Sequence, residues 1–114
     1  MIRIEDDSAD ATYKGLTDIV RWRAVDDAGA VLARAGLASW GGRRWVFFDA
    51  HDASPGQRAA IILAIRARMR GMTGPLYSAC DHGFGTAERV NALLGFEPTG
   101  DRWGHLGVWI WQRR

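Results

Sequence analysis

Alternating and apolar positions in the first half of the chain predict a meander of strands. Val20, Trp22 and Ala24 share one face of an alternating segment, and the turn signals Asp26–Gly29 and Trp40–Arg43 separate that segment from two further apolar ones. We expect strands at residues 2–4, 19–25, 31–39 and 44–50. The last of these is expected to be largely buried.

A helix is predicted over residues 54–70 by its capping sequence and its apolar spacing. Ser54 fits the N-cap, Pro55 the first helical position, and Gln57 the third position after the cap. The apolar residues that share one face of this helix are Ile61, Ile62, Ile65, Met69 and Met72.

A second helix is predicted over residues 86–94. Thr86 can cap its start, Gly95 stands where a left-handed C-cap is needed, and Phe96 can fold back onto the last turn. The helix therefore has both a start and a stop signal.

The remaining apolar segments complete a mixed sheet. Residues 76–80 predict a short buried strand, parallel to strand 44–50 because a helix connects the two. Residues 106–111 predict a final strand with Trp109 and Trp111 on one face. The element order is then β-β-β-β-α-β-α-β-β, and the fold class is α+β.

Composition bounds the chain to one ordinary domain, residues 1–114. Hydrophobic residues make up 47% and charged residues 25%, and no apolar run approaches the ~20 residues of a membrane span. The first ten residues are acidic where a signal peptide would be apolar. Cys80 is the only cysteine, so it is expected to be a buried strand residue rather than a nucleophile or a ligand. We expect an unexported, cytoplasmic protein.

Basic and aromatic residues bear on which partners the chain binds. The net charge is +2, and 14 of the 15 basic residues are arginine. Arg66 and Arg70 share a helix face, but no nucleic-acid signature accompanies them, so a solvated face is expected and a nucleic-acid partner is not. Six tryptophans are expected mainly in the core; the alternative is that Trp103, Trp109 and Trp111 contribute to a contact surface.

The order of elements and the segment Ala87-Glu88-Arg89-Val90-Asn91-Ala92-Leu93-Leu94-Gly95-Phe96-Glu97-Pro98-Thr99-Gly100 resemble the GNAT family of N-acetyltransferases. In that family, a helix commonly ends in a Leu-Gly-Phe-Glu stretch before the last two strands. The resemblance implies that strands 44–50 and 76–80 splay apart and that the pantetheine arm of acetyl-CoA lies in the gap. It covers residues 19–111 by element order.

Three departures from the family pattern predict an eroded acetyl-CoA site. The family's pyrophosphate loop, Arg/Gln-x-x-Gly-x-Gly/Ala, keeps only Gly56, because Ala53 and Arg58 occupy the flanking signature positions. The resemblance still implies cofactor contacts from Gly56, Gln57 and Arg58 at the helix N-terminus. Asn91 stands where many members have a tyrosine acid. Residues 5–18 leave no room for the usual N-terminal helix pair.

Candidate bases cluster where two predicted strands end. Asp49 and His51 have strand spacing, and His82 follows the neighbouring strand, so these side chains could meet at the carboxyl end of the sheet and deprotonate an amine. The alternative is that the carboxylates cap loops and the histidines are solvated. A metal held by His51, Asp52, Asp81 and His82 fits no standard motif, so no metal is expected.

Two functions follow from these observations. The first is a non-catalytic GNAT-like module that binds a protein partner or a second copy, since the resemblance extends to minimal proteins of tailed phages, some of them particle components. The alternative is an active acetyl-CoA-dependent N-acetyltransferase acting on a small or protein amine. The chain is accordingly expected in the cytoplasm, or in a phage particle if phage-encoded.

Overall fold

A computed structural model describes residues 2–7, 17–50, 52–81, 83 and 85–112, which form a seven-stranded mixed sheet with two helices. The elements in chain order are β1 (Arg3–Asp6), β2 (Thr17–Val25), β3 (Val31–Trp40), β4 (Arg43–Asp49), α1 (Pro55–Met69), β5 (Leu76–Cys80), α2 (Gly85–Leu94), β6 (Glu97–Trp103) and β7 (Leu106–Trp111). The sheet order is β1-β2-β3-β4-β5-β7-β6. The predicted fold class and element order are confirmed.

The sheet consists of two antiparallel halves that meet between β4 and β5. These two strands run parallel, as predicted, and share one register pair, Trp45 opposite Tyr77. By contrast, five register pairs join β5 to β7. No further register pair joins the two strands toward their carboxyl ends, where the resemblance to the GNAT family implies the gap for pantetheine, which we call the β4–β5 gap.

Both helices pack on the same face of the sheet, which we call the helical face. Ile61 and Ile65 of α1 lie over Trp22, Ala24 and Ala35 of the central strands. Met69 is fully buried in this core, as the helical spacing predicts, whereas Met72 is half-buried. Leu63, which broke the apolar pattern, is exposed.

Hydrogen bonds at the helix ends match the sequence signals. Ser54 Oγ accepts from the Gln57 amide at 3.3 Å, and the Gln57 side chain accepts from the Ser54 amide at 2.9 Å, which is a complete capping box. At the end of α2, the Phe96 amide donates to the Asn91 carbonyl and the Gly95 amide to Ala92. Gly95 has φ +100°, so the predicted left-handed C-cap is confirmed.

Several element boundaries and exposures differ from the sequence prediction. β1 begins at Arg3 rather than Ile2, and α2 begins at Gly85, so Thr86 lies inside the helix instead of capping it. Val20 was expected to be buried with Trp22; the strand register keeps the two residues on one face, but Val20 is 36% exposed.

The six tryptophans divide between the two faces of the sheet. Trp109 and Trp111 are each 8% exposed and pack in the core of the helical face. Trp103, on the same hairpin, is 45% exposed and contacts Trp40 and Trp45 on the other side of the sheet. Among the described residues no helix covers that side, which we call the open face.

Candidate functional site

The N-terminus of α1 is the predicted phosphate-binding position, and its backbone donors are already largely used. Pro55 has no N–H, and the Gln57 amide donates to Ser54 Oγ. The Arg58 amide donates to the Ser54 carbonyl at 2.8 Å, as the first bond of the helix. Only the Gly56 amide is left for an external anion among these first-turn groups.

Two carboxylates stand beside this helix N-terminus. A cavity of about 770 Å³ is lined by Gly56 and Gln57 on one side and by Asp26 and Asp27 of the β2–β3 turn on the other. Asp26 also accepts two backbone hydrogen bonds within its own turn, each 2.9 Å long. The Arg58 side chain is exposed and has no polar contact within the described part of the chain.

Asn91 lies at the other side of the β4–β5 gap and is committed to internal contacts. It is buried, and its Nδ2 donates to the Ala87 carbonyl at 2.8 Å. Cys80 is buried on β5 as predicted. Burial raises the pKa of its thiol, and the Glu88 carboxylate adds to the effect. The thiol is therefore held protonated.

Of the three predicted bases, the structure describes only Asp49. Asp49 is exposed at the end of β4, opposite Arg34 in the strand register. His51 and His82 lie outside the described residues. Asp81 directly follows β5 and its Oδ1 accepts from the Gly83 amide at 2.9 Å, which is the loop-capping role weighed in the sequence analysis.

A histidine that the sequence analysis did not single out lies beside Asp81. His105, in the β6–β7 turn, places Nε2 3.9 Å from Asp81 Oδ2 and is 79% exposed. The antiparallel pairing of Cys80 with Gly107 brings this turn to the end of β5. The signal that could have found it is the register of the last hairpin, because the sequence spacing alone gives no link between the two residues.

An aromatic cluster occupies the open face across the β4–β5 junction; it consists of Trp40, Trp45, Tyr77 and Trp103. The Trp103 ring stacks on Trp40 at 4.9 Å with an interplanar angle of 21°, and its centroid is also 4.9 Å from that of Trp45. Trp45 contacts Tyr77 at 5.8 Å. The Arg43 guanidinium lies over the Tyr77 ring at 4.5 Å.

No group of three or more His, Cys, Asp and Glu side chains in the described part of the chain could hold a metal ion. No helix there is long and apolar enough to span a bilayer.

Comparisons with known proteins extend the description of the fold. No protein-family model matches the chain, and no curated protein matches it in sequence. Among solved structures, the chain is similar to a GNAT superfamily phosphinothricin acetyltransferase from Sinorhizobium meliloti in complex with AcCoA, with a TM-score of 0.58 and 16% identity. The chain therefore has a GNAT-like fold.

The match covers 81% of this chain and 58% of the acetyltransferase. The chain therefore spans less than two thirds of the length of that acetyltransferase. At this identity the comparison establishes the fold, and the chemistry has to be argued from the residues present.

Proposed function

We propose that this chain is a GNAT-like module with an eroded acetyl-CoA site that acts by binding a partner rather than by acyl transfer. The observation that carries the proposal is the capping box of α1. Its Ser54 and Gln57 side chains satisfy each other's backbone amides, and these amides lie at the position where the family holds a pyrophosphate. The residues present therefore do not fit the cofactor's phosphates.

A further observation supports the same proposal. The Asn91 side chain donates to the Ala87 carbonyl and has no proton to give near neutral pH, so the family's acid has no replacement at this position. The resemblance further implies a virion-associated role in a phage or mobile element, which detection of the chain in purified particles would test.

Isothermal titration calorimetry with acetyl-CoA tests the proposal. The expected result is no binding, or a dissociation constant in the high micromolar range at best, since a deficit of about 1.4 kcal/mol already weakens binding tenfold. Arg58→Ala is the informative variant, because a guanidinium can replace lost amide contacts by charge-assisted hydrogen bonds. Low-micromolar binding that this variant abolishes would show that Arg58 substitutes for the loop and would contradict the proposal.

An acetyl-CoA-dependent N-acetyltransferase of small or protein amines is the second candidate function. The Asp81–His105 pair at the open end of the β4–β5 gap favours it, because a carboxylate beside an imidazole suits a group that removes a proton from an ammonium. Release of free thiol from acetyl-CoA in the presence of an amine, lost in His105→Ala, would establish this function. Asp49, His51 and His82 remain the predicted alternative bases.

A further inference from the structure

We propose that the open face is the interface of a symmetric homodimer, centred on Trp40 and Arg43. The inference goes beyond the eroded acetyl-CoA site and does not depend on whether the cofactor binds. It rests on three features of the open face. These are its exposed side chains, their arrangement around the β3–β4 turn, and the lack of a carboxylate contact to Arg43 among the described residues.

The exposed part of the open face has the composition of an interface centre. Trp40 is 43% exposed, Phe47 is 40% exposed, and both lie on this face together with Trp103. Tryptophan, tyrosine and arginine are the residues most enriched where binding energy concentrates in protein interfaces. The cluster is rigid, because each indole is already held against its neighbours.

Arg43 and Trp40 are complementary groups that one chain does not bring into contact with each other. They are direct cross-strand partners at the β3–β4 turn, but their side chains diverge: the Arg43 guanidinium lies over Tyr77, whereas the Trp40 ring stacks on Trp103. Within the described residues, no carboxylate contacts the Arg43 guanidinium or the Trp40 indole. One face of the guanidinium and one face of the indole are thus left for an external group.

A two-fold axis in the plane of contact and between these two residues pairs them across the interface. Such an axis places the Arg43 guanidinium of each chain opposite the Trp40 indole of its partner, which makes two equivalent cation–π contacts. The same operation keeps the two Arg43 guanidinium groups apart. A second copy therefore supplies an indole ring for the Arg43 guanidinium and a guanidinium group for the Trp40 indole.

The arginines on the other half of the open face provide a contrast. Arg23 donates to the Glu5 carboxylate at 3.2 Å and Arg34 lies 3.9 Å from that of Asp7, so their charges are already compensated within the chain. No carboxylate among the described residues compensates Arg43 in this way. The difference locates the dimer contact at the β3–β4 turn and the aromatic cluster rather than over β1 and β2.

Sedimentation velocity over a concentration series tests the proposal on the full chain without added ligand. We expect a reversible monomer–dimer equilibrium whose dissociation constant rises at least about tenfold in Arg43→Ala, because both symmetric contacts are lost together. Arg43→Lys should fall between the two, since lysine keeps the charge but not the planar stacking surface. Leu63→Ala and Arg89→Ala, exposed positions on the helices, are matched controls and should leave the equilibrium unchanged.

A double-mutant cycle separates a direct contact from an indirect effect. If Arg43 and Trp40 touch across the interface, the Arg43→Ala/Trp40→Ala double variant should dimerise no more weakly than the weaker single variant. Additive losses would contradict the pairing. A chain that stays monomeric at its highest soluble concentration, or a dimer that Arg43→Ala leaves unchanged, would overturn the proposal whatever the outcome of the acetyl-CoA titration.

Discussion

The two faces of the sheet differ in how far their side chains are buried or bonded to other described residues. On the helical face, Trp109 and Trp111 are buried in the core, and the Ser54 and Gln57 side chains at the start of α1 accept hydrogen bonds from each other's amides. On the open face, Trp40 and Trp103 expose almost half of their surface and Arg43 has no carboxylate partner in the described chain. In our proposal, the capping box of α1 replaces the family's phosphate contacts, whereas the open face carries the exposed side chains that bind a partner.

A matched pair of substitutions on one hairpin tests this difference most strongly. Trp111→Ala should lower the free energy of unfolding by about 3–5 kcal/mol, because it removes a large side chain from the core. Trp103→Ala should cost less than about 2 kcal/mol, mainly its two ring contacts. Urea denaturation measures both variants. Equal losses would mean that the cluster is as much a part of the core as Trp111.

Substitution of Gly36 tests how closely side chains of the open face pack against the backbone of β3. A Cβ at this position would overlap the Val20 carbonyl and lie 2.5 Å from Phe47 Cζ, so the Phe47 ring rests directly on the bare backbone of β3. Gly36→Ala should destabilise by about 2–3 kcal/mol through overpacking. Adding Phe47→Ala should recover only part of this loss, because the overlap with the backbone carbonyl remains; full recovery would contradict the geometry.

Gly95 tests the close approach of α2 to the sheet. Its φ of +100° is unfavourable for any β-branched residue, and a Cβ would lie 3.2 Å from Trp111 Cδ1. Gly95→Val should therefore lower stability by more than about 1 kcal/mol. Gly56→Ala is the control, because Gly56 has no atom within 4 Å of the added methyl group. An unchanged melting temperature for Gly95→Val would argue against the C-cap.

The elements and their order could be predicted from the sequence, because capping residues and apolar spacing are local signals. Ser54-Pro55-Gly56-Gln57 and Leu94-Gly95-Phe96 each specify a helix end within a few residues. The pairing of Asp81 with His105 could not be predicted in this way, since it depends on the register between β5 and β7. The same holds for Trp103, whose ring contacts Trp40 and Trp45 on strands that are distant in the sequence.

Ser54→Ala is the substitution with the smallest expected effect, and it acts at the cofactor position itself. Removing the hydroxyl should cost about 1 kcal/mol of stability, because the Gln57 amide loses its acceptor. The same change frees that amide for an external anion. If the capping box is what excludes acetyl-CoA phosphates, calorimetry should show tighter binding to Ser54→Ala than to the wild type; weaker binding would instead make Ser54 a ligand.

The central claim, that the α1 N-terminus no longer binds the cofactor's phosphates, is tested most directly by amide chemical shifts during an acetyl-CoA titration. In two-dimensional ¹H–¹⁵N spectra, the amides of Gly56, Gln57 and Arg58 report on this position one by one. The account predicts that none of the three shows a saturating shift below the high micromolar range. Saturation of the Gly56 and Gln57 shifts at low micromolar acetyl-CoA would contradict it, because the capping box would then have opened to receive the pyrophosphate.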